Sequence, residues 1–392
     1  MLTERLEFWP ERDAEIFFRV PASPAVFLLR GEDAQSEPYV SKTANLRRRL
    51  QRLLGRVEQS TRRLNLRERV RLIEYAPTGS DFESAFTLYR VLRSTFFQTY
   101  SKRLRLRFAP LVKLHLENEY PRASITTRLG RLNGRATYYG PFPSRVAAEK
   151  FMNDSLDFFK MRRCVDDLHP DPTFPGCIYS EMKMCLAPCF KGCNDEEYST
   201  EVSRVKAYFD SSGESLMREF SAQRDSASSA LAFEDAAAIH VRLEKLKPVL
   251  QQVPDIVGRI DQLSALIIQP SHVANSVTFF RVEEGSVHGP AAFCIQTGEH
   301  AKSHSMESRL QEFLGSFPQS KVSALETMEH LALLKRWYYR SRRIGEVFLA
   351  DEKGALPMRR IVRGVARVFR GEKPEGDATE GQAGIGATEL LH

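Results

Sequence analysis

The chain has 392 residues, 42% of them apolar and 27% charged, which suits two or three packed units and excludes a wholly disordered polymer. No window approaches 18 consecutive apolar residues, which argues against a membrane-spanning helix, and MLTERLEFWPERDAE, with early acids and no apolar run, does not read as a signal peptide. A cytoplasmic protein without membrane contact is the expectation. The balance is basic, 42 Arg and 15 Lys against 50 acids, for a net +7. Between Lys42 and Arg107, 17 cations face five anions, a local +12. Such a stretch points to a polyanionic partner; the plainer alternative is a set of solvated helix faces.

In chain order, AVFLLR (25–30) and EPYV (37–40) read as two strands around a turn at Gly31-Glu32-Asp33. Lys42 to Leu54 reads as a helix with Leu46, Leu50, Leu53 and Leu54 on one stripe and Arg47, Arg48, Arg49 and Arg52 around the rest. RVRLIEY (69–75) is a third strand, and Ser80 or Asp81 caps a helix through Phe86, Leu88, Val91 and Leu92. LVKLHL and RASITTRL are short strands before Gly140-Pro141-Phe142-Pro143, after which Ser144 opens a helix to about Met161. Asp195 to Leu250 reads as two helices meeting near Leu231. The second carries Ala232, Ala236, Ile239, Leu243, Leu246 and Leu250 as an apolar seam for a partner helix, within the molecule or outside it. ALIIQ, SVTFFRV and AAFCI, between 263 and 296, are strands, and 321–342 forms another amphipathic helix. From Gly371 onward the sequence is Gly-rich and core-poor, as in a disordered tail.

Five of the six cysteines, Cys164, Cys177, Cys185, Cys189 and Cys193, fall within 30 residues, and Cys294 stands apart. Clustered thiols in a cytosolic chain read as metal ligands before disulfides. Four thiolates from neighbouring loops suit zinc or an iron–sulfur cube, although the paired two-residue spacings of zinc sites are missing. The alternative is a set of inert buried thiols.

TYYGPFPSRVAAEKFMNDSLDFFKMRRC and PGCIYSEMKMCLAPCFKGCNDEEYSTEV resemble the UvrC excinuclease family of bacterial nucleotide-excision repair. In that family the stretch runs as a YFGPF-type turn, a helix, an FPLRxC run and then C-LxYQIxxCxAPC. Residues 23–54 look like the start of the family's GIY-YIG nuclease. Residues 217–250 look like its UVR motif, the hairpin that pairs with the excinuclease B subunit, and 263–296 resemble its central strands. The similarity covers roughly residues 15–300, without the family's RNase H-like nuclease and helix-hairpin-helix repeats, so a truncated relative is expected. The fold class that follows is α/β of the α+β kind. It comprises a small mixed-sheet GIY-YIG-like domain (15–105), a cysteine-cluster segment (106–200), a UVR-type helical hairpin (201–255), a degenerate central α/β segment (256–350) and a tail (351–392).

The resemblance implies that Cys164, Cys177, Cys185 and Cys189 hold a 4Fe–4S cluster, with Cys193 outside the pattern. It also locates the residues of a one-metal nuclease, which needs a carboxylate on the metal, a tyrosine near the nucleophile and an arginine on the phosphorane. Tyr39, Lys42 and Arg49 match retained positions. Phe27 replaces a tyrosine, Leu88 the metal-binding glutamate and Tyr100 an asparagine. Leucine cannot hold Mg²⁺, and Glu83, five residues earlier, lies about 140° around the helix. The expectation is therefore a DNA-binding protein without a Mg²⁺ site. Lys42, Arg47, Arg48, Arg49 and Arg52 would clamp phosphates. The hairpin would contact the B subunit, with His240-Val241 standing where the family has Arg-Asp. The alternatives are an active single-incision GIY-YIG endonuclease and a non-repair adaptor that uses the hairpin.

Overall fold

The computed structural model describes residues 2–33, 36–56, 64–130, 136–295, 305–317, 320–351 and 353–373. Its first unit runs β1 (Glu4–Glu7), α1 (Asp13–Arg19), β2 (Ala25–Gly31), β3 (Tyr39–Thr43), α2 (Leu46–Leu54), β4 (Val70–Pro77), α3 (Asp81–Thr95) and α4 (Tyr100–Leu104). The sheet order is β1-β4-β2-β3, antiparallel throughout. Alternation along β2 sends Ala25, Phe27 and Leu29 into a core with the four leucines of α2, and Val26 and Leu28 to the opposite face, against Val91 of α3. Ser80 caps α3, its Oγ accepting the Glu83 N–H at 3.1 Å. Neither β1 nor α1 is expected from the sequence: ERLE offers a single apolar residue, Leu6, at the edge of the core, and its strand is formed by pairing with β4.

The second unit comprises β5 (Leu111–Leu114), β6 (Ala123–Thr126), β7 (Thr137–Gly140), α5 (Arg145–Leu156), α6 (Ile178–Glu181), α7 (Asp195–Asp210), α8 (Glu214–Ser229), α9 (Phe233–Gln251) and β8 (Gly258–Arg259). Ser144 caps α5 as expected. The stretch 195–250 is three helices rather than two. Gly213 breaks it at φ +93°, where a side chain would come within 2.2 Å of a Leu250 methyl. The second break, at Leu231, falls where the sequence places it. After the hairpin the chain returns to the sheet, ordered β6-β5-β7-β8, through the pair Tyr139↔Arg259. Leu216, Phe220, Leu243 and Leu246 share one core with Leu111, Val112 and Tyr139. The base of the hairpin is thus buried against the sheet that leads to the cysteines, in a cluster that also takes in Phe82 and Phe86 of α3 and Phe280 of β10.

The third unit has β9 (Ala265–Pro270), β10 (Ser276–Glu283), β11 (Ser286–Cys294), α10 (Met306–Gly315), α11 (Ala324–Tyr338), β12 (Glu346–Leu349) and α12 (Met358–Arg370), with sheet order β11-β10-β9-β12. Ile267, Phe280 and Val282 pack toward Leu331 and Leu334 of α11. Leu266, Ile268 and Phe279 pack toward α10 and α12 on the other face. The expected tail from 351 is corrected here: Ile361, Val365 and Val368 of α12 are buried in that core. Gly364 lets the helix meet Phe348 more closely than any Cβ would allow. The disordered stretch expected from Gly371 lies almost wholly outside the described residues. All pairings among the described strands are antiparallel, which gives the α+β arrangement the sequence suggests. No described helix is long and apolar enough to cross a membrane.

Candidate nucleic-acid interface and thiol cluster

A cleft of about 970 Å³ opens along α2, with Asn45, Arg48, Arg49 and Arg52 among its lining residues. The Arg49 Nη2 donates to the Tyr39 hydroxyl at 2.8 Å, while its Nε is buried without a hydrogen-bond partner. A buried guanidinium N–H left unpaired beside an open cleft is costly unless an acceptor arrives, and a phosphate oxygen is such an acceptor. Asn45 Oδ1 accepts the Arg48 N–H at 2.9 Å and fixes the start of α2 at the same cleft. Arg48 and Arg52 are exposed.

Arg47 and Lys42 do not join them. The Arg47 Nε donates to the Val20 carbonyl at 2.9 Å and its Nη2 to that of Phe18 at 3.2 Å, closing the end of α1. Lys42 is three residues from Tyr39 on β3 and so lies on the opposite face. Its Nζ donates to Asp81 Oδ1 at 2.6 Å, and Arg340, beyond α11, holds the other Asp81 oxygen. Burial raises the Asp81 carboxyl, but the two cations outweigh it and hold it below the usual carboxylate range. Other cations of the basic stretch are also engaged internally: Arg67 with Asp13, Arg93 with Glu326 and Arg103 with Glu37. The free positive surface is smaller than the count of +12 implies.

Leu88, where the resemblance puts a metal ligand, packs with Val26, Leu28, Val40 and Val91. A hard cation requires oxygen donors, so this donor set does not fit Mg²⁺. Glu83 supplies no substitute. It is buried, accepts the Gly79 N–H at 2.8 Å, and burial pushes its carboxyl up to about 7. Tyr100 donates to Glu329 Oε1 and Tyr89 to Glu329 Oε2, both at 2.8 Å. His330 lies tilted against Phe86 at 5.1 Å and edge-on to Tyr89 at 5.4 Å, and accepts the Val287 N–H at 3.1 Å. Burial, with Arg90, His288 and Arg93 nearby, pushes its imidazole down to about 3, so it stays neutral. No sequence signal announces this joint of α3 and α4 with α11, whose hydrogen-bonded members lie more than 200 residues apart.

The cysteines lie on a loop-rich segment wound by left-handed residues at Lys183, Ala187 and Lys191. The Ala187 N–H donates to Cys185 Sγ at 3.3 Å and Arg162 Nη1 to Cys164 Sγ at 3.4 Å. Burial pushes the Cys185 thiol up to about 11, and repulsion from Cys164, Cys189 and Cys177 adds to it. Cys189 is raised by burial and then by Cys177 and Cys164. Cys193 is raised by burial, Glu197 and Asp195, with Cys189 as the one thiol acting on it. Cys164, Cys177, Cys185 and Cys189 thus form one electrostatic group, with Cys193 at its rim. Among the described residues, no group of three or more His, Cys, Asp or Glu side chains is drawn close enough to grip an ion as it stands. Four soft sulfur donors, two of them already receiving N–H groups, nevertheless suit a thiolate-held centre in chemistry.

Residues 110–208, from β5 to α7 and including all five clustered cysteines, match the family described as UvrC/Cho excinuclease, middle domain. Over that span the chain is similar to the UvrC middle domain. It is 26% identical over 277 residues to the UvrABC system protein C of Alcanivorax borkumensis, covering 70% of this chain and 45% of that protein. The corresponding protein of Rickettsia rickettsii is 28% identical over 278 residues, covering 70% of this chain and 42% of the relative. That of Rickettsia bellii is 27% identical over 286 residues, covering 72% and 43%. The chain thus spans less than half the length of the curated relatives it matches. No solved structure matches it.

One more surface of the chain is open. Between α8 and α9 lies a groove of about 800 Å³ lined by small residues with Ile239 and Arg242. At the bend, Leu231 and Phe233 are 72% and 65% exposed. The seam expected along α9 faces the molecule's own core at Leu243 and Leu246, with Ile239 half-buried at the edge of that core where it also lines the groove.

Proposed function

We propose that this is a UvrC-like, cytoplasmic nucleotide-excision repair protein that binds DNA and does not cut it by the GIY-YIG route. The observation that carries the reading is the α2 cleft, where the Arg49 Nε is buried and unpaired beside Arg48 and Arg52. A phosphate entering there would accept from Arg49 and gain charge from the two exposed guanidinium groups. Tyr39 would orient Arg49 through their hydrogen bond. Leu88 in its apolar packing supports the absence of hydrolysis, since nothing at that position can anchor a cation or steady developing charge.

Cys164, Cys177, Cys185 and Cys189 would hold a 4Fe–4S cluster, which when bound cross-links the loops between α5 and α7. The exposed end of the α8–α9 hairpin would dock on the excinuclease B subunit, with Leu231 and Phe233 as apolar anchors. The direct test of the DNA reading is duplex binding across a salt series. Arg49→Ala and the Arg48→Ala/Arg52→Ala pair should weaken binding and flatten its salt dependence. Unchanged affinity would refute the α2 site.

One observation favours a second reading, an active single-incision endonuclease: the Tyr39–Arg49 pair of the family's active site remains intact and hydrogen-bonded. A nicking assay separates the two.

A further inference from the structure

We infer that α12 is a second nucleic-acid contact, a backbone-binding ridge on the third unit that the resemblance does not assign. The helix reads MRRIVRGVARVFR, with five arginines and no acid in 13 residues. At about 100° per residue, Arg359, Arg360, Arg363, Arg367 and Arg370 fall within an arc of about 100°. Ile361, Gly364, Val365 and Val368 fill the opposite side and are buried. Arg367 is pinned, both its nitrogens bonding Glu346 at 2.8 Å, and Arg370 pairs with Glu372 at 3.1 Å. Arg359, Arg360 and Arg363 are exposed and have no ion pair among the described residues. The fixed arginine holds the helix in register, and the three outer ones offer guanidinium groups along it.

The chemistry favours phosphate over the other partners of basic helices. A basic amphipathic helix binds a membrane by inserting its apolar face. Here most of that face is already closed over Leu266, Ile268 and Phe279, and Phe369, 40% exposed, is the one large apolar side chain of the helix left outside, too little to insert. All the cations are arginine, whose planar fork matches phosphate oxygens. The helix is about 20 Å long, and duplex DNA presents a charge every ~1.7 Å of axis, so several phosphates pass within its reach.

This inference rests on the DNA-binding reading only in sharing its ligand, and the two fail separately. The full chain carrying Arg359→Gln/Arg363→Gln is titrated with a random-sequence duplex across a salt series, beside Arg48→Ala/Arg52→Ala and the quadruple variant. The expected result is weaker binding by the α12 variant, with a log–log salt slope shallower by about 1.8, and a quadruple variant close to the sum. An α12 variant that matches the parent while the α2 variant weakens would overturn the ridge and leave the α2 site standing. Weakening by the α12 variant alone would keep the ridge and remove the α2 site. Co-sedimentation with phosphatidylserine vesicles that is lost in the α12 variant, without any change in duplex binding, would also overturn it. Both substituted side chains are exposed, so the thermal midpoint should not move; if it does, the single variant Arg360→Gln supplies the same readout.

Discussion

The Tyr100 hydroxyl donates to Glu329 at 2.8 Å across a sequence gap of 229 residues, and Tyr89 donates to the other oxygen of the same carboxyl. Glu329 is 1% exposed, so its two hydrogen bonds answer a desolvation that would otherwise oppose burial. Tyr100 stands at the position the family resemblance gives to an active-site asparagine. In this chain that position ties α4 to α11 instead.

Restoring the asparagine should therefore break a joint without creating a catalyst. Tyr100→Asn and Tyr100→Phe should each lower unfolding stability by about 1–3 kcal/mol, the cost of an unmet buried hydrogen bond, as read by urea denaturation. Stability equal to the parent in both variants would mean that the joint contributes nothing.

Glu83 gives a pH-dependent signature. Its folded carboxyl is raised by burial from an ordinary 4.5 to about 7. Its contribution is complete below the unfolded value and is lost as pH rises through about 7, a loss on the order of 3 kcal/mol. Glu83→Gln, which keeps an oxygen for the Gly79 N–H, should flatten the fall in stability between pH 5 and 8. A parental slope retained by the variant would place the titration on another group.

The thiol cluster makes a composition prediction. Anaerobically purified protein should contain about four irons per chain and absorb as a 4Fe–4S centre. Cys185→Ala, which removes the sulfur that the Ala187 N–H bonds, should abolish the colour. Cys193→Ala should keep it, since Cys193 packs against Tyr120, Tyr198 and Val202 and lies outside the spacing the family uses. Stoichiometric zinc without iron, or loss of iron on changing Cys193, would contradict the assignment.

At the hairpin, Phe233→Ala should leave stability unchanged, because the ring is 65% exposed. If Phe233 anchors the B subunit, the same change should cost about 2 kcal/mol of binding, close to 30-fold in Kd, by titration with purified B subunit. Equal affinity would exclude the bend as an anchor.

Periodicity and capping make much of the fold legible in the sequence. The leucine stripe of α2 and the Ser80 and Ser144 caps are local signals, and each sits at its expected position. The misses are tertiary. The strand ERLE is made by its partner, and α12 hides a buried stripe among arginines that read as tail. Gly213 looks like one more residue in a helical stretch until the packing of Leu250 against it is known. The site divides in the same way. Arg49 and its cleft follow from the motif, whereas Arg47 and Lys42 could not be separated from them by sequence. Their guanidinium and ammonium groups are engaged by the carbonyls of Val20 and Phe18 and by Asp81, distant contacts that no spacing encodes.

The central claim is binding without cutting, and a nicking assay on a damaged duplex tests it most directly. The chain is incubated with Mg²⁺ or Mn²⁺, with and without the B subunit, at concentrations where a gel shift shows the duplex bound. The account expects shifted but unbroken DNA, and the same result from Leu88→Glu, because Phe27 still lacks the tyrosine hydroxyl and the new carboxylate enters an apolar pocket. Metal-dependent nicking by the parent chain that disappears in Tyr39→Phe or Arg49→Ala would contradict it, and would show that the retained pair works with a metal held elsewhere.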